Sequence, residues 1–185
     1  MAFQWIRRGT LAIGHMESSV ISLFDRFADG IYTLAVRVVR DRHLAEDVVQ
    51  ETFLAILRGR SPYRGDGSLA GWVYRIGYRQ AVAALRRCRD MPIEDEALAR
   101  QADRAIDGSD GAVLQRELAE RIDAAISRLS QPLRAAFVLR DVEELSVAGT
   151  ALTLGIGESA AKMRVMRARS ELREMLKGYL HESRL

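Results

Sequence analysis

Apolar residues recur every three or four positions along most of the chain, a pattern typical of amphipathic helices. Residues 18–40 have this spacing and indicate one or two helices with a weak point at Gly30. A further amphipathic helix is predicted over residues 44–57. Its apolar stripe consists of Val49, Phe53, Ile56 and Leu57, and its opposite face of Asp47, Gln50, Glu51 and Leu54. We therefore expect one face of this helix to be buried and the other to be presented.

A loop and a third helix follow. Residues 60–68 contain one proline and two glycines, which indicates a loop, and Ser68 is suited to cap the helix predicted over residues 69–89. The core-directed stripe of that helix consists of Leu69, Trp72, Val73 and Ile76. A neighbouring side, the tyrosine-arginine face, consists of Tyr74, Arg75, Tyr78 and Arg79. Such a face suits single-stranded nucleic acid, because bases stack on aromatic rings. It also fits an amphipathic helix whose tyrosines only fringe the core.

The second half of the chain is separated from these helices by residues 91–112, which are rich in small and acidic residues. We predict a flexible linker there, with room for one short helical turn over residues 96–105. Helical periodicity returns over residues 113–129, where the predicted apolar stripe is Leu114, Leu118, Ile122, Ala125, Ile126 and Leu129. The next helix is predicted to have Pro132 in its first turn and to run to about Glu143.

The last two helices have the spacing of a helix-turn-helix. Ser146 is predicted to cap a short helix over residues 147–154, residues 155–157 form the turn, and a longer helix covers residues 158–180. The core-facing stripe of the longer helix is predicted to be Ala161, Val165, Ala168, Leu172 and Leu176. Its outer face, the recognition face, consists of Ser159, Lys162, Met163, Met166 and Arg167, with Arg164 and Arg169 beside it. Basic side chains at the start of such a helix suit a DNA major groove. Helical hairpins with a basic last helix also occur in many other proteins.

The charges are unevenly distributed. The net charge of the 185-residue chain is +3, and arginines concentrate in residues 75–89 and 164–173, on either side of an acidic segment. The single Cys88 excludes an internal disulfide. No stretch has the run of uncharged apolar residues that a membrane span needs. We therefore expect a cytoplasmic protein without membrane insertion. Residues 1–17 are predicted to be a poorly ordered leader, and Met16 could equally be the start.

The sequence is a poor candidate for an enzyme, and we predict no catalytic residue, cofactor or metal. Its histidines are scattered, and His43 with Asp47 supplies only two of the ligands that a metal site requires. Cys88 has no plausible histidine partner nearby in sequence. The glycines at 65 and 67 lack the lysine and the spacing of a phosphate-binding loop.

Three stretches resemble one family when they are taken together. Residues 45–53, AEDVVQETF, resemble the signature of region 2 in the extracytoplasmic-function (ECF) group of the bacterial sigma-70 family. The sequence WVYRI at 72–76, followed by LRR at 85–87, resembles the part of region 2 that melts and reads the −10 promoter element. The sequence LRAAFVLRDVE at 133–143 and the helix-turn-helix after it resemble region 4, which reads the −35 element. The three stretches occur in the order of the family.

The resemblance implies an all-α fold of two small helical domains joined by a flexible acidic linker. Region 2 is expected in residues 18–90 and region 4, the helix-turn-helix domain, in residues 113–181. The resemblance also implies that the protein is a sigma factor, which binds the β′ clamp helices and the β flap of core RNA polymerase and directs transcription initiation at promoter DNA. The linker would follow the polymerase's basic RNA-exit channel. A separate anti-sigma factor is the expected regulator.

The family's functional residues carry over in three groups. The group for core polymerase is Asp47, Gln50 and Glu51. The group for the −10 element is Arg64, Trp72, Tyr74, Arg75, Tyr78, Arg79, Arg86 and Arg87. The group for the −35 element is Ser159, Lys162, Met163, Arg164 and Arg167. By analogy, the loop over residues 63–68 would hold a base flipped out of the −10 element.

Several positions depart from the family pattern. Relatives usually have asparagine in place of Arg79 and aspartate in place of Ala83. A glutamate pair is common where this chain has Ala148-Gly149, and glycine in mid-helix costs about 1 kcal/mol relative to alanine. The recognition helix begins ESAA at 158–161 where relatives favour Val-Gly-Thr-Val, and has Met163 in place of serine. We therefore expect an unusual −35 preference and weak DNA binding by region 4, which an activator could offset.

Two other classes of protein stay open. A sigma-like interaction protein would titrate an anti-sigma factor without initiating transcription. The divergent region 4 favours this alternative, whereas Asp47 and Gln50 argue against it. An ordinary helix-turn-helix repressor would not need the helix over residues 44–57 or the tyrosine-arginine face.

Overall fold

The computed structural model describes residues 16–59, 62–63, 65, 67–90 and 110–182, and these residues form helices and their connections without a β-strand. The helices are α1 (Met16–Val39), α2 (Arg42–Leu57), α3 (Leu69–Asp90), α4 (Asp110–Arg128), α5 (Gln131–Phe137), α6 (Val147–Leu154) and α7 (Glu158–Glu182), with a π-helical turn at Val138–Val142. The prediction of an all-α fold is confirmed. Most of the predicted leader and linker lies outside the described residues.

The three N-terminal helices pack around a common apolar core. Ile31 and Leu34 of α1, Val49 of α2 and Val73 of α3 are all fully buried. Helix α1 is continuous through Gly30, the predicted weak point. Burial of large side chains from three helices is the main source of stability for such a bundle, at about 1.5–3 kcal/mol for each side chain.

Helix α2 begins at a side-chain cap and buries a different stripe from the predicted one. Asp41 is the N-cap, and its carboxylate accepts a hydrogen bond from the Leu44 amide at 2.8 Å. The buried residues are Ala45, Val48, Val49, Thr52 and Phe53. The prediction that Leu57 belongs to the buried stripe is wrong, since Leu57 lies in the last turn and is 39% exposed. Thr52 takes a core position because its hydroxyl donates to the Val48 carbonyl at 2.6 Å, which satisfies the polar group.

The C-terminal helices form a second core between α4, α5 and α7. Ala125, Ile126 and Leu129 pack against Ala168 and Leu172. The predicted inner stripe of α7, Ala161, Val165, Ala168 and Leu172, is buried as expected, and Leu176 packs at its edge. Helix α4 begins at Asp110, three residues before the predicted start, and Leu118 of its predicted stripe is exposed.

The helix predicted to run from Pro132 to Glu143 is α-helical only in its first half and π-helical in its second. Helix α5 ends at Phe137, and the chain continues as a π-helical turn. The Glu143 amide donates to the Val138 carbonyl at 2.9 Å, five residues earlier, which is the bond that defines a π-helix. At the end of this turn, Asp141 reaches Arg169 on α7 while Glu143 reaches Tyr74 on α3. The turn therefore connects the two halves of the chain.

The two halves pack against each other in the structure. Helix α6 lies against α3, and α5 lies against α1. The core of the N-terminal helices continues into the second half through Ala135, Val138, Leu139 and Leu145. We call this packing of the two halves the closed arrangement. No helix in the described part of the chain is both long enough and apolar enough to cross a membrane.

Candidate functional site

The presented face of α2 is exposed as predicted. Asp47, Gln50 and Glu51 are all exposed, and Leu54 is half-buried beside them. They occupy the side of the helix opposite Val48 and Thr52, which the core holds in place. The arrangement gives a rigid polar surface with two carboxylates, which suits contact with another macromolecule.

The loop before α3 folds onto the start of that helix. The Ser68 hydroxyl accepts from the Gly71 amide at 3.0 Å, which confirms the predicted cap. The Tyr63 hydroxyl donates to the Gly67 carbonyl at 2.8 Å, and the Tyr63 ring lies 5.5 Å from the Trp72 ring. Gly67 has φ of 84°, a conformation that favours glycine. Arg64, predicted to contact the −10 element, lies outside the described residues.

The tyrosine-arginine face of α3 is only partly accessible. Arg79 is exposed and Arg75 and Tyr78 are half-buried, whereas Tyr74 is only 5% exposed. The expectation that Tyr74 presents its ring for stacking is therefore wrong for the closed arrangement. The other residues of α3 predicted to contact the −10 element are more accessible than Tyr74. Trp72 is half-buried, and Arg86 and Arg87 are exposed.

Tyr74 is buried because it has neighbours from both halves of the chain. Its ring packs edge-on against Phe27, with the ring centroids 6.1 Å apart. Its hydroxyl donates a hydrogen bond to the Glu143 carboxylate. Burial, followed by the hydrogen bond and the charge of Glu143, raises the pKa of Tyr74 well above its ordinary value. The hydroxyl is therefore a donor throughout the physiological range.

A cleft remains where α3 and α6 diverge. It has a volume of about 400 Å³ and is lined on the α3 side by Arg75, Tyr78, Arg79 and Arg86, with residues 152–155 of α6 and its turn opposite. Three guanidinium groups in one cleft make a strongly positive surface, which suits a polyanion.

The recognition face of α7 is open to solvent. Ser159, Lys162, Met163 and Arg167 are exposed, and Arg164 is half-buried. Met163 is 46% exposed and Met166 is 62% exposed. The predicted helix-turn-helix is confirmed locally, since the Ser146 hydroxyl accepts from the Gly149 amide at 3.0 Å and Gly155 ends α6 with φ of 67°.

Arg169 is held away from this face. Its guanidinium pairs with the Asp141 carboxylate, one contact being 3.1 Å from Nε to Oδ2. The hydrogen bond and the charge of Asp141 raise the pKa of Arg169. This pair fixes the π-helical turn to α7, so Arg169 has a structural contact within the region.

The sequence pattern predicts no functional role for two residues of the site, Glu143 and Gly30. Glu143 ends the stretch 133–143 that resembles the family, yet nothing in the local pattern showed that it meets Tyr74. The sequence predicts Gly30 only as a weak point of α1, but a side chain there would overlap the Tyr74 hydroxyl and the Glu143 carboxylate. The contact among Gly30, Tyr74 and Glu143 joins residues that are far apart in the sequence, so local patterns do not predict it.

A buried arginine lies at another contact between the halves. Arg134 of α5 is only 6% exposed, and its Nε has no hydrogen-bond partner among the described residues. Burial, and then repulsion from Arg40 at the end of α1, lowers the pKa of Arg134. Two like charges therefore face each other across the closed arrangement, which opposes it.

Comparison with known proteins connects this geometry to a family. The sigma-70 region 2 model matches residues 23–90, and a sigma-70 region 4 model matches residues 119–172. The ECF RNA polymerase sigma factor SigM of Mycobacterium tuberculosis is 33% identical over 162 residues, which cover 86% of this chain and 77% of SigM. The chain belongs to the ECF group of the sigma-70 family. The ECF sigma factor SigE of Mycolicibacterium smegmatis is 34% identical over 164 residues, covering 87% of this chain but only 63% of SigE.

The fold of this ECF sigma factor is also found in a solved relative. The sigma factor RpoE of Bartonella quintana, in its co-crystal structure with the anti-sigma factor NepR, superposes with a TM-score of 0.65 at 20% identity. The match covers 86% of this chain and 97% of that chain. Region 2 of the present sigma factor contains α1–α3 and region 4 contains most of α4–α7. Its relatives are sigma factors, which are transcription factors rather than enzymes.

Proposed function

We propose that this chain is an initiating ECF sigma factor, which binds core RNA polymerase and directs it to promoters with −10 and −35 elements. The observation that carries the proposal is the separation of three polar surfaces on three different helices, α2, α3 and α7, within a chain of this family. A sigma factor must bind polymerase, a melted strand and upstream duplex at the same time. Three surfaces on separate helices meet that requirement.

The proposed contact with polymerase is the presented face of α2. Asp47, Gln50 and Glu51 would meet the β′ clamp helices, and the exposure of all three supports this role. Region 4 would contact the β flap. The proposed domains are residues 18–90 for region 2 and residues 113–181 for region 4, with residues 91–112 as the linker between them.

The proposed contact with the −10 element is the α3 side of the cleft. Arg75, Arg79 and Arg86 would hold the phosphates of the non-template strand, and Tyr78 would stack on a base, which is worth about 1–3 kcal/mol. The remaining members of this proposed group are Arg64, Trp72, Tyr74 and Arg87. Tyr74 would take part only after the closed arrangement opens, because it is buried there.

The proposed contact with the −35 element is the recognition face. Lys162 and Arg167 are exposed in the N-terminal half of α7, the part of a recognition helix that meets phosphates and base edges. Ser159, Met163 and Arg164 complete the proposed set. Methionine in place of a hydrogen-bonding side chain at position 163 favours an apolar contact, which supports an unusual −35 preference.

An anti-sigma factor is the proposed regulatory partner, and the cytoplasm is the proposed location. The support for the partner is the fold shared with RpoE of Bartonella quintana, whose co-crystal structure contains the anti-sigma factor NepR. The identity of the partner would follow from capture by the full chain in its own host.

The test of the proposed function is transcription of genomic DNA fragments by purified core RNA polymerase with and without the chain. We expect discrete new transcripts that disappear with the Asp47→Ala, Gln50→Ala double variant. Glu46→Ala is the matched control, because Glu46 is an exposed carboxylate on the same helix. Failure of the wild-type chain to bind core polymerase would contradict the proposal.

One observation favours a second candidate, a sigma-like protein that titrates an anti-sigma factor. The presented face of α2 is free while Tyr74 of the proposed −10 group is covered. Such a protein would bind an anti-sigma factor and yield no transcripts at any promoter, even with the closed arrangement opened by mutation.

A further inference from the structure

A small cavity lies between α6 and α7, inside the helix-turn-helix. Its volume is about 160 Å³, and its apolar lining includes Val147 of α6 and Ala161, Val165 and Met166 of α7. An apolar cavity of about 150 Å³ is large enough to bind benzene. The cavity therefore has room for one compact ligand with a single ring. The proposed contacts with polymerase and promoter DNA assign it no role.

A buried hydroxyl without a partner lines the same cavity. Thr150 of α6 is fully buried, and its hydroxyl has no hydrogen-bond partner among the described residues. Thr52 is equally buried but differs, because its hydroxyl donates to the Val48 carbonyl at 2.6 Å. An unpaired buried hydroxyl is costly, since it has lost its bonds to water without gaining others. A ligand that has a hydrogen-bond acceptor would satisfy the Thr150 hydroxyl.

The charge around the cavity is positive. Arg140, Lys162 and Arg169 line it, and none of the described acidic residues does. The Arg169 guanidinium is paired with Asp141, whereas Lys162 is exposed. Arg140 donates from Nη1 to the Leu145 carbonyl at 3.0 Å and keeps its other N–H donors, since a guanidinium has five. Positive charge beside an apolar lining favours an anion with an apolar body.

We propose that this cavity binds a small carboxylate with a compact apolar body, of the size of benzoate. The ring would fill the space beside Ala161 and Val165. The carboxylate would accept hydrogen bonds from the Thr150 hydroxyl and from one of the cations, Arg140 or Lys162. The volume therefore selects the ring, the positive charge selects the anion, and the unpaired hydroxyl selects an acceptor. Binding to the cavity does not depend on the proposed function.

An occupied cavity would also change the recognition face. Lys162 and Met166 belong to that face and line the cavity as well. A bound carboxylate would neutralise the charge of Lys162, and positive charge is what attracts a helix to the phosphates of duplex DNA. We therefore expect the ligand to weaken duplex binding by region 4. This consequence alone rests on the proposed function.

The first experiment titrates the full, isotope-labelled chain with sodium benzoate at constant ionic strength and follows its amide resonances by NMR. We expect saturable shifts centred on Thr150, Val165 and Met166, with a Kd of about 1 mM, because a ligand with few non-hydrogen atoms binds weakly. Benzamide, which has the same ring without the charge, should bind several-fold more weakly. Acetate, which has the charge without the ring, should cause no saturable shift at these residues.

Two substitutions in the cavity test its contributions separately. Ala161→Leu adds an isopropyl group to the wall and should weaken benzoate binding roughly tenfold or more, because it occupies the space for the ring. Ala160→Leu is the matched control, since it adds the same group at the exposed neighbouring residue. Thr150→Val keeps the shape and removes the hydroxyl, so it should weaken binding several-fold while the free chain stays at least as stable as wild type. Thr150→Val also covers the case in which Ala161→Leu fails to fold, which circular dichroism would reveal.

Duplex binding supplies the readout for the recognition face. We expect the fluorescence anisotropy of a labelled, random-sequence DNA duplex to report several-fold weaker binding in saturating benzoate, at fixed ionic strength. Wild type and Ala160→Leu should show this effect, whereas Ala161→Leu should not. A duplex affinity that saturating benzoate leaves unchanged would overturn the effect on the recognition face.

The absence of saturable shifts in the wild-type chain, up to ten times the expected Kd, would overturn the site. Benzamide that binds as tightly as benzoate would overturn the preference for an anion. Unchanged benzoate binding by the folded Ala161→Leu and Thr150→Val variants would place the ligand elsewhere and overturn the cavity as its site. If benzoate binds as expected but core polymerase yields no transcripts with the chain, the site stands and the proposed function fails.

Discussion

Two arginine-rich amphipathic helices of this sigma factor, α3 and α7, differ in how much of their functional face is accessible. The recognition face of α7 is exposed along its length, with Met166 62% exposed. The tyrosine-arginine face of α3 contains Tyr74, which is 5% exposed, and Tyr78, which is half-buried. The local sequence pattern therefore identifies a functional face, whereas packing against the other half of the chain determines whether that face is accessible.

The difference has a physical origin in the side chains. On α7, one narrow stripe, Ala161, Val165, Ala168 and Leu172, is buried, whereas the recognition face consists of polar and methionine side chains. On α3, the tyrosine rings have apolar bodies and polar tips, so they can pack against protein as well as stack on bases. Glu143 provides the acceptor that makes the protein contact favourable for Tyr74.

The largest expected effect comes from removing a side chain from each face. Tyr74→Ala should lower the free energy of unfolding by about 3–5 kcal/mol, because it leaves a cavity between α1 and α3 and an unpaired Glu143. Met163→Ala on the recognition face should change it by less than about 0.5 kcal/mol, because Met163 is 46% exposed. Urea unfolding followed by circular dichroism measures both. Similar small changes in the free energy of unfolding for both variants would show that Tyr74 is no more buried than Met163.

An intermediate effect is expected at alkaline pH. The pKa of Tyr74 is raised from 10.0 by burial and by Glu143, so the folded chain keeps this proton while the unfolded chain loses it. The contribution to stability is therefore complete below pH 10 and decreases above it by about 1.4 kcal/mol per pH unit until the folded group also ionises. Comparing wild type with Tyr74→Phe by urea unfolding from pH 8 to 11 isolates this slope. Parallel pH profiles for the two proteins would show that Tyr74 is solvent-exposed.

The smallest expected effect is a gain in stability of the closed arrangement. Arg40→Gln removes a charge that repels Arg134, so the closed arrangement should gain a few tenths of a kcal/mol, since Arg40 itself is exposed and its charge is screened. Förster transfer between fluorophores on Cys88 and on a cysteine introduced by Ser170→Cys, both at exposed positions, should rise slightly, and the gain should shrink in high salt. A fall in transfer efficiency would mean that Arg40 supports the closed arrangement instead of opposing it.

Local features of the fold were predictable because their signals lie within a few residues. Ser68 and Ser146 cap the helices they precede, and Gly155 ends α6, as their sequence positions indicate. The periodicity of α7 also predicted its buried stripe. In each case one residue and its immediate neighbours determine the structure.

The contacts between the halves were not predictable in this way. Tyr74 and Glu143 are distant in sequence, and the pattern around each residue is compatible with an exposed side chain. The burial of Thr52 depends on a hydrogen bond to its own helix, which periodicity does not reveal. The assignments of individual residues to polymerase and DNA remain proposals, since they depend on partners outside the chain.

The proposed function requires this sigma factor to present α2 to polymerase and to uncover Tyr74 of α3 when the two halves separate. Förster transfer between Cys88 and a cysteine at position 170, recorded while core RNA polymerase is added, tests it most directly. We predict a saturable fall in transfer efficiency that the Asp47→Ala, Gln50→Ala variant does not show. A chain that binds polymerase to saturation with its transfer efficiency unchanged would contradict the claim.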